Sequence, residues 1–351
     1  MNTKYNRKNF DMIHFNSFSK SLALLITFIS VFNITSNACS FFKYHANGNT
    51  YIGRTMEAPM EMDEELVIVP QNYDLHGITT TYGFVGIKHG DTEWISSGMN
   101  EHGVNVEVLA LGESQYAPKG TGDINHLEVA SYVLAKAKTV DEAIELLSKI
   151  KVDVTPISVS HDMEIGMHYA ITDAKRSVVI EYLNGKGTPE VYENNLGVLT
   201  NDPNYVDQEL MAQALINGST LENGLTKFPD ELFTRFNKSP HERFQQLVAY
   251  NFTQDLSRVK TDFDGVNRAW AMVNALEIVQ GTLYWKFVDP KPQMVGYSIV
   301  VDVNNKAYHF RTYDNMDIRK VDINDINFAT VKYQTQDIYR NKNTYSNVEI
   351  N

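Results

Sequence analysis

Short runs of apolar residues, many of them alternating with polar ones, are separated by Gly, Asn and Pro over much of the chain after residue 38. Runs of this length between turn residues are typical of β-strands. The first two runs, 39–44 and 50–56, flank a Gly-containing turn and predict a hairpin. The predicted strands are 39–44, 50–56, 66–70, 83–88, 93–97, 104–111, 167–173, 178–183, 189–193, 196–200, 283–288, 295–303, 306–312 and 317–321.

Helical spacing of apolar residues replaces this pattern in other segments. Thr139 with Glu142 predicts a capping box at the start of one helix, and Ser239 before Pro240 predicts the start of another. Trp270 falls on the apolar face of its helix, so we expect it in the core. The predicted helices are 124–138, 140–150, one starting at 239–241 within the helix-and-loop region 202–251, and 265–280.

The order of these elements predicts the fold class. Strands, helices, strands, helices and strands follow one another, which suggests an α+β fold with two antiparallel sheets and helices outside them. No linker or repeat divides the chain, so residues 39–351 are predicted to form one domain. The polar tail, 325–351, is expected to wrap another subunit or to fray.

The first 38 residues have the order of a secretory signal peptide. Basic residues precede an apolar run at 22–32, and Ser36 and Ala38 supply the small residues that signal peptidase prefers before its cut. The run is about half the roughly 20 residues that a membrane-spanning helix needs, so no span is expected. We therefore predict removal of residues 1–38, export to the periplasm or the exterior, and Cys39 as the first residue of the mature protein. The basic residues are Lys4, Arg7, Lys8 and Lys20.

The composition of the chain argues against several kinds of binding site. With 31 Lys and Arg against 43 Asp and Glu, the net charge is −12, the wrong sign for binding nucleic acid. The single cysteine excludes an internal disulfide and a multi-cysteine zinc site. The histidines form no metal-binding motif and there is no nucleotide-binding glycine loop, so we expect neither metal nor cofactor. The acidic run near residues 57–65 favours a solvated loop over a calcium site.

A cysteine at the N-terminus joins a nucleophile and a base in one residue. The free α-amine of Cys39 would take the thiol proton and later give it to a leaving amine, which suits attack on an amide carbonyl. Two alternatives stay open: a lone cysteine is often a small buried hydrophobe, and a cysteine after a signal peptide can carry a lipid anchor. The second alternative describes a non-enzymatic lipoprotein.

Five further segments follow Cys39 in order along the chain. Together they resemble the choloylglycine hydrolase family, which contains bile salt hydrolases and penicillin V acylases and belongs to the N-terminal nucleophile hydrolases. The resemblance implies a four-layer αββα sandwich, an acyl-thioester intermediate and a homotetramer. The segments are GRTME at 53–57, SGMNEHG at 97–103, MHYAITD at 167–173, NNLGVLTNDP at 194–203 and HERF at 241–244.

The resemblance also implies roles for individual residues. Cys39 becomes the nucleophile, Arg54 the electrostatic partner of its sulfur, and Arg243 a second cation of the same site. Asn201 would donate its side-chain N–H to the tetrahedral oxyanion. On local sequence alone, Asn201 is equally a turn residue before Pro203.

Two positions depart from the family pattern. Glu57 stands where most members carry the Asp that holds the α-amine, and it is one methylene longer. Ala110 stands where the family usually has Asn or Tyr, so an oxyanion donor there would have to be the backbone N–H.

These observations predict an exported cysteine-dependent amidase that cleaves a linear, non-peptide C–N bond in a small molecule with an apolar acyl group. Members that resemble the chain cleave conjugated bile salts, penicillin V or N-acyl homoserine lactones, and the sequence leans slightly toward bile salts. The choice depends on segments expected to line the pocket: 56–62, 79–86, 110–116 and 225–236.

Overall fold

The computed structural model describes residues 38–58, 63–90, 92, 94–154, 165–215, 238–280, 284–285 and 291–340. Its strands are β1 (Ala38–Ala46), β2 (Asn49–Ala58), β3 (Glu64–Val69), β4 (Asp74–Leu75), β5 (Ile78–Thr79), β6 (Phe84–His89), β7 (Ile95–Asn100), β8 (Asn105–Ala110), β9 (Ile124–Asn125), β10 (Val152–Asp153), β11 (Met167–Thr172), β12 (Ser177–Glu181), β13 (Glu190–Glu193), β14 (Val198–Leu199), β15 (Tyr284–Trp285), β16 (Lys291–Pro292), β17 (Met294–Asp302), β18 (Ala307–Thr312), β19 (Asn315–Asp322) and β20 (Gln334–Asp337). Its α-helices are α1 (Val129–Lys136), α2 (Val140–Ser148), α3 (Tyr205–Leu215), α4 (Pro240–Thr253) and α5 (Asp262–Ala275). Single 3-10 turns cover His126–Glu128, Leu256–Arg258 and Ile323–Asp325.

The hairpin β1–β2 is built around an Asn-Gly turn. Asn47 and Gly48 have φ angles of 50° and 77°, the left-handed conformations that a tight type I′ hairpin requires. The resulting register pairs Cys39 with Met56 and Phe41 with Arg54. Residues opposite each other, and residues two apart on one strand, share a face. Cys39 and Arg54 therefore lie diagonally on the same side of the hairpin.

Two antiparallel sheets form the centre of the fold. The first has the order β14-β1-β2-β17-β18-β19, so the hairpin lies within it, flanked on both sides. The second has the order β13-β12-β11-β8-β7-β6-β3-β20. Every residue of β6, β7, β8 and β11 is buried, which requires that both faces of this sheet are covered.

Apolar side chains fill the space between the sheets and under the helices. Along β8, Val106 and Val108 join a cluster with α1 and α2, while Leu109 points the other way into the cluster between the sheets. Helices α4 and α5 pack against the outer side of the first sheet. Trp270 of α5 is buried, as predicted. The layers thus run helices, sheet, sheet, helices, which confirms the predicted α+β sandwich.

Helix boundaries follow the capping residues more closely than the apolar pattern. Thr139 caps α2 and accepts a hydrogen bond from the backbone of Glu142, as predicted, and Pro240 occupies the first turn of α4. A capping box of Thr261 and Asp264 starts α5 three residues before the predicted 265, and the helix ends at Ala275 rather than at 280. The predicted helix 124–138 is a 3-10 turn followed by the shorter α1.

Part of the polar tail, expected to wrap another subunit or to fray, pairs with the domain itself. Residues 334–337 form β20 and pair with β3 at the edge of the second sheet, while residues 341–351 lie outside the described residues. All four of these residues are exposed, so the strand is held by its backbone and carries no apolar pattern. Of the predicted strand 283–288, only Tyr284 and Trp285 lie within the described residues.

Candidate active site

Cys39 lies on β1, where the first sheet faces the second. It is 5% exposed, and its Sγ is 3.5 Å from Sδ of Met56, its neighbour across the hairpin. Burial raises the pKa of the thiol, and the charge of Arg54 opposes that rise. The sequence predicted the direction of the Arg54 effect, but burial is the larger of the two. The nitrogen of Cys39 is here a peptide nitrogen, because Ala38 precedes it.

Asn201 contacts that nitrogen directly. The Cys39 N–H donates to Asn201 Oδ1 at 2.6 Å, and the Asn201 amide nitrogen donates to the Ala110 carbonyl at 2.8 Å. An amide nitrogen carries two hydrogens, so one of them is still available to a developing oxyanion. Asn201 follows β14, whose Leu199 pairs with Phe41, and this pairing brings the asparagine to Cys39 across 162 positions of the sequence.

Arg54 is completely buried between the sheets. Its Nη2 donates to the Val108 carbonyl at 2.8 Å and lies 3.7 Å from Met56 Sδ, the same sulfur that touches Cys39. Its guanidinium lies 5.2 Å from the ring centroid of Tyr297. The Nη2 atom of Arg54 is thus connected to the Cys39 sulfur through Met56 Sδ.

Arg243 of α4 binds the backbone around the cysteine. Its Nη1 donates to the Cys39 carbonyl at 2.6 Å, and its Nη2 donates to Asn201 Oδ1 at 3.1 Å. The same Nη1 is 3.8 Å from Glu57 Oε1. Arg243 therefore connects three of the other predicted site residues from the helix side.

Glu57 lies beside the site, but its carboxylate does not hold the Cys39 nitrogen. Its Oε1 accepts a hydrogen bond from Thr55 at 2.9 Å, while its Oε2 is buried without a hydrogen-bond partner among the described residues. The hydrogen of the Cys39 nitrogen goes instead to Asn201. The structure brings Cys39, Arg54, Glu57, Asn201 and Arg243 together, and their catalytic roles stay predictions.

Glu57 makes the stability of the protein depend on pH. Burial raises its pKa from 4.5 to about 7, against the lowering effect of Arg243. The folded chain then binds this proton more tightly than the unfolded chain, so stability falls as pH rises from about 4.5 to about 7. We expect Glu57→Gln to gain on the order of 1–3 kcal/mol over the natural protein between about pH 5 and about pH 8. Urea unfolding at the two pH values measures this gain. Glu145→Gln, at an exposed position, serves as the control and should show no such trend. The same stability difference between Glu57→Gln and the natural protein at both pH values would contradict a raised pKa for Glu57.

Ala110 contributes its backbone to the site. Its carbonyl binds Asn201, and its strand, β8, pairs with β11 through Met167. The prediction that its backbone N–H serves as an oxyanion donor stays open. Of the segments expected to line the pocket, 225–236 and 59–62 lie outside the described residues, as do residues 1–37 of the predicted signal peptide.

Sequence reasoning missed the residues that support these groups. Glu107 forms an ion pair with Arg54 at 3.0 Å, and His168 donates through Nε2 to the Thr200 carbonyl at 2.6 Å, next to Asn201. Gln208 donates to the Asn201 carbonyl at 2.6 Å. The available signal was a carboxylate in the otherwise apolar half of the predicted strand 104–111, where an unpaired charge would be costly.

Asn201 provides a test of the site that is independent of Cys39. Because a preorganised oxyanion donor contributes about 2.7–4 kcal/mol, we expect Asn201→Ala to lower kcat about 10²–10³-fold with little change in KM. Steady-state kinetics on an amide that the natural protein cleaves measures the effect. Asn204→Ala, which removes an amide bonded to Glu113 and Asp207, is the matched control. Equal kcat for the two variants would reject Asn201 as an oxyanion donor and leave it only the role of a turn residue before Pro203.

Within the described residues, no three or more His, Cys, Asp or Glu side chains are grouped closely enough to hold a metal ion. No helix in the same part of the chain combines the length and apolarity needed to cross a membrane.

Comparison with known proteins gives a consistent assignment. A family model described as linear amide C–N hydrolases, choloylglycine hydrolase family, matches residues 39–340. The chain is 25% identical over 309 residues to a bile salt hydrolase/transferase of Lactiplantibacillus plantarum, covering 82% of this chain and 92% of the relative. It is 26% identical over 336 residues to a penicillin V acylase of Pectobacterium atrosepticum, covering 88% and 86%.

Solved structures share the fold. A conjugated bile acid hydrolase from Clostridium perfringens superposes with a TM-score of 0.73 at 21% identity, covering 89% of this chain and all of that one. A penicillin V acylase from Agrobacterium tumefaciens gives a TM-score of 0.69 at 21% identity, covering 85% and 91%. These likenesses confirm the layered fold that the sequence resemblance implied.

Proposed function

Because this chain belongs to the choloylglycine hydrolase family of linear amide C–N hydrolases, we propose that Cys39 is its nucleophile and that its substrate is an amide with an apolar acyl group, of the bile salt or penicillin V kind. The observation that carries the proposal is the convergence of Asn201, Arg54 and Arg243 on one buried cysteine. The same cysteine is the only one in the chain and the first residue of the family match.

In the proposed reaction, the freed α-amine of Cys39 takes the thiol proton, and the sulfur attacks the amide carbonyl carbon. The charge that develops on the carbonyl oxygen is stabilised by the remaining N–H of the Asn201 amide. The C–N bond breaks as the leaving nitrogen receives the proton, which releases an amine and leaves an acyl-thioester. Water then attacks the thioester, the acid leaves, and the thiol and amine are restored.

The chemistry requires that residues 1–38 are removed, and we propose that export removes them. The order of charge, apolarity and small residues in this segment supports a secretory signal. Residues 39–351 then form a single catalytic domain, located in the periplasm or secreted. The family resemblance further supports a homotetramer, which light scattering of the trimmed protein would test.

A panel of hydrolysis assays identifies which kind of amide the protein prefers. Four amides are incubated with protein that begins at Cys39: taurocholate, glycocholate, penicillin V and a long-chain N-acyl homoserine lactone. The names of the relatives support bile salts and penicillin V. We expect the highest kcat/KM on a bile salt. The opposite order would favour penicillin V or the lactone, and absence of release from all four would reject the proposed substrate class.

A further inference from the structure

Glu107 is a buried carboxylate of β8 that faces Arg54 across the gap between the sheets. Its Oε2 is 3.0 Å from Arg54 Nε, and neither side chain has any exposed surface. Ser97 and Asn105 each donate a hydrogen bond to its Oε1 at 2.9 Å. Ser97 in turn is 2.6 Å from the hydroxyl of Tyr308. The carboxylate is thus held from two strands of its own sheet and by a residue on the first sheet.

Arg54 contacts Glu107 and its other neighbours through different nitrogens. Its Nε faces Glu107, its Nη2 binds the Val108 carbonyl and touches Met56, and Met56 touches the Cys39 sulfur. Its Nε and Nη1 are buried and make no hydrogen bond among the described residues, so the contact between Nε and Glu107 Oε2 is an ion pair without hydrogen-bond geometry. The hydrogens of Nη1 are therefore not used by any described residue.

Without a counter-charge this arrangement would be unfavourable. A buried guanidinium with no partner carries a large desolvation penalty, and an arginine side chain has many rotamers to choose among. A carboxylate fixed by two neutral donors removes both problems, since it neutralises the charge and determines where Nε lies.

From this geometry we propose that Glu107 is a positioning residue, which fixes Arg54 so that its Nη2 stays beside Met56, next to the Cys39 sulfur. The proposal rests on the proposed role of Cys39 as nucleophile. Glu107 touches neither Cys39 nor the expected substrate position, so its effect passes through Arg54.

Removal of Glu107 changes the pKa of the Cys39 thiol in opposite directions, depending on whether Glu107 acts by charge alone or by positioning Arg54. If it acted only through its negative charge, its removal would strengthen the field of Arg54 and lower the pKa of the Cys39 thiol. If it positions Arg54, its removal lets the guanidinium move and raises that pKa. The direction of the change therefore separates positioning from charge alone.

The test measures the reactivity of the thiol itself. Trimmed protein with Glu107→Gln and its natural counterpart are alkylated with iodoacetamide over a pH range around the ordinary thiol pKa of about 8.5. Because Cys39 is the only cysteine, the rate reports on that sulfur alone. We expect the midpoint of the alkylation profile to rise, and kcat to fall about 10- to 100-fold with KM nearly constant.

Three variants keep the result interpretable. Glu107→Asp keeps the charge and should restore part of both effects. Glu64→Gln removes another buried carboxylate of the same sheet, one bonded to the Tyr339 hydroxyl, and should leave the alkylation midpoint unchanged. If Glu107→Gln does not fold, Ser97→Ala removes one donor to the carboxylate and should raise the midpoint by a smaller amount.

A midpoint that is unchanged or lowered in Glu107→Gln would overturn the positioning role. The outcome is separable from the proposed function, because alkylation needs no substrate. A natural protein that cleaves none of the tested amides would reject the function and leave the comparison of thiol midpoints intact.

Discussion

Cys39→Ala is expected to abolish amide hydrolysis, lowering kcat by at least about 10⁴-fold. Alanine leaves the α-amine, Asn201 and both arginines in place, but it removes the atom that forms the bond to the acyl carbon. Nucleophile deletions in acyl-transfer enzymes have effects of this size, and the remaining activity comes from binding and oxyanion stabilisation. Release of the amine product from the best amide of the panel measures the loss, with protein whose first residue is position 39.

Cys39→Ser makes the same test stricter. A hydroxyl is a much weaker acid than a thiol, and the buried position of residue 39 penalises its ionisation further. We expect at least about a 10³-fold loss for this variant. Ser177→Ala, which removes a buried hydroxyl bonded to Thr172, is the control and should stay near natural activity. A loss of less than about tenfold in Cys39→Ser would reject the assignment of the nucleophile.

The sequence predicts the fold well where the signal is local. The Asn47-Gly48 turn determines the register of the hairpin, and Thr139 and Pro240 mark the starts of their helices. It fails where the signal is not in the side chains. β20 is exposed along its whole length and joins the sheet through backbone hydrogen bonds, so no apolar pattern could reveal it.

The site, like the fold, could be predicted from the sequence only in part. Cys39 was predicted from the signal peptide and the chemistry of an N-terminal cysteine, and the other four residues from family motifs. The structure brings all five together although Asn201 is 162 positions from Cys39. The partner of the peptide nitrogen of Cys39 was not predicted: its single hydrogen is donated to Asn201 Oδ1, and the contact of Glu57 with a freed α-amine stays a prediction. A carboxylate in the apolar half of the strand 104–111 indicates that Glu107 needs a buried partner, but that the partner is Arg54 depends on how the two sheets pack face to face.

A chain that retains Ala38 should fold normally and yet be nearly inactive, with kcat reduced at least about 10³-fold relative to the form beginning at Cys39. With Ala38 present, the Cys39 nitrogen belongs to an amide, which is no base, and its only hydrogen is donated to Asn201 Oδ1. Ala38 continues β1 and pairs with Glu57, so the sheet accommodates the extra residue. The loss would therefore have a chemical cause and not a structural one.

Two forms of the protein, released from a fusion so that they begin at residue 38 or 39, are compared for kcat and thermal unfolding. Matched unfolding with unequal kcat is the expected result, and removal of Ala38 by an aminopeptidase should restore the rate. Equal kcat would show that the α-amine is not the base.

The intact mass of the naturally exported protein distinguishes the amidase from a lipoprotein. A bare Cys39 agrees with the amidase, whereas an excess of about 800 Da from three fatty chains would identify a lipoprotein anchored through that residue. Such an anchor would occupy the sulfur that the proposed reaction requires to be free.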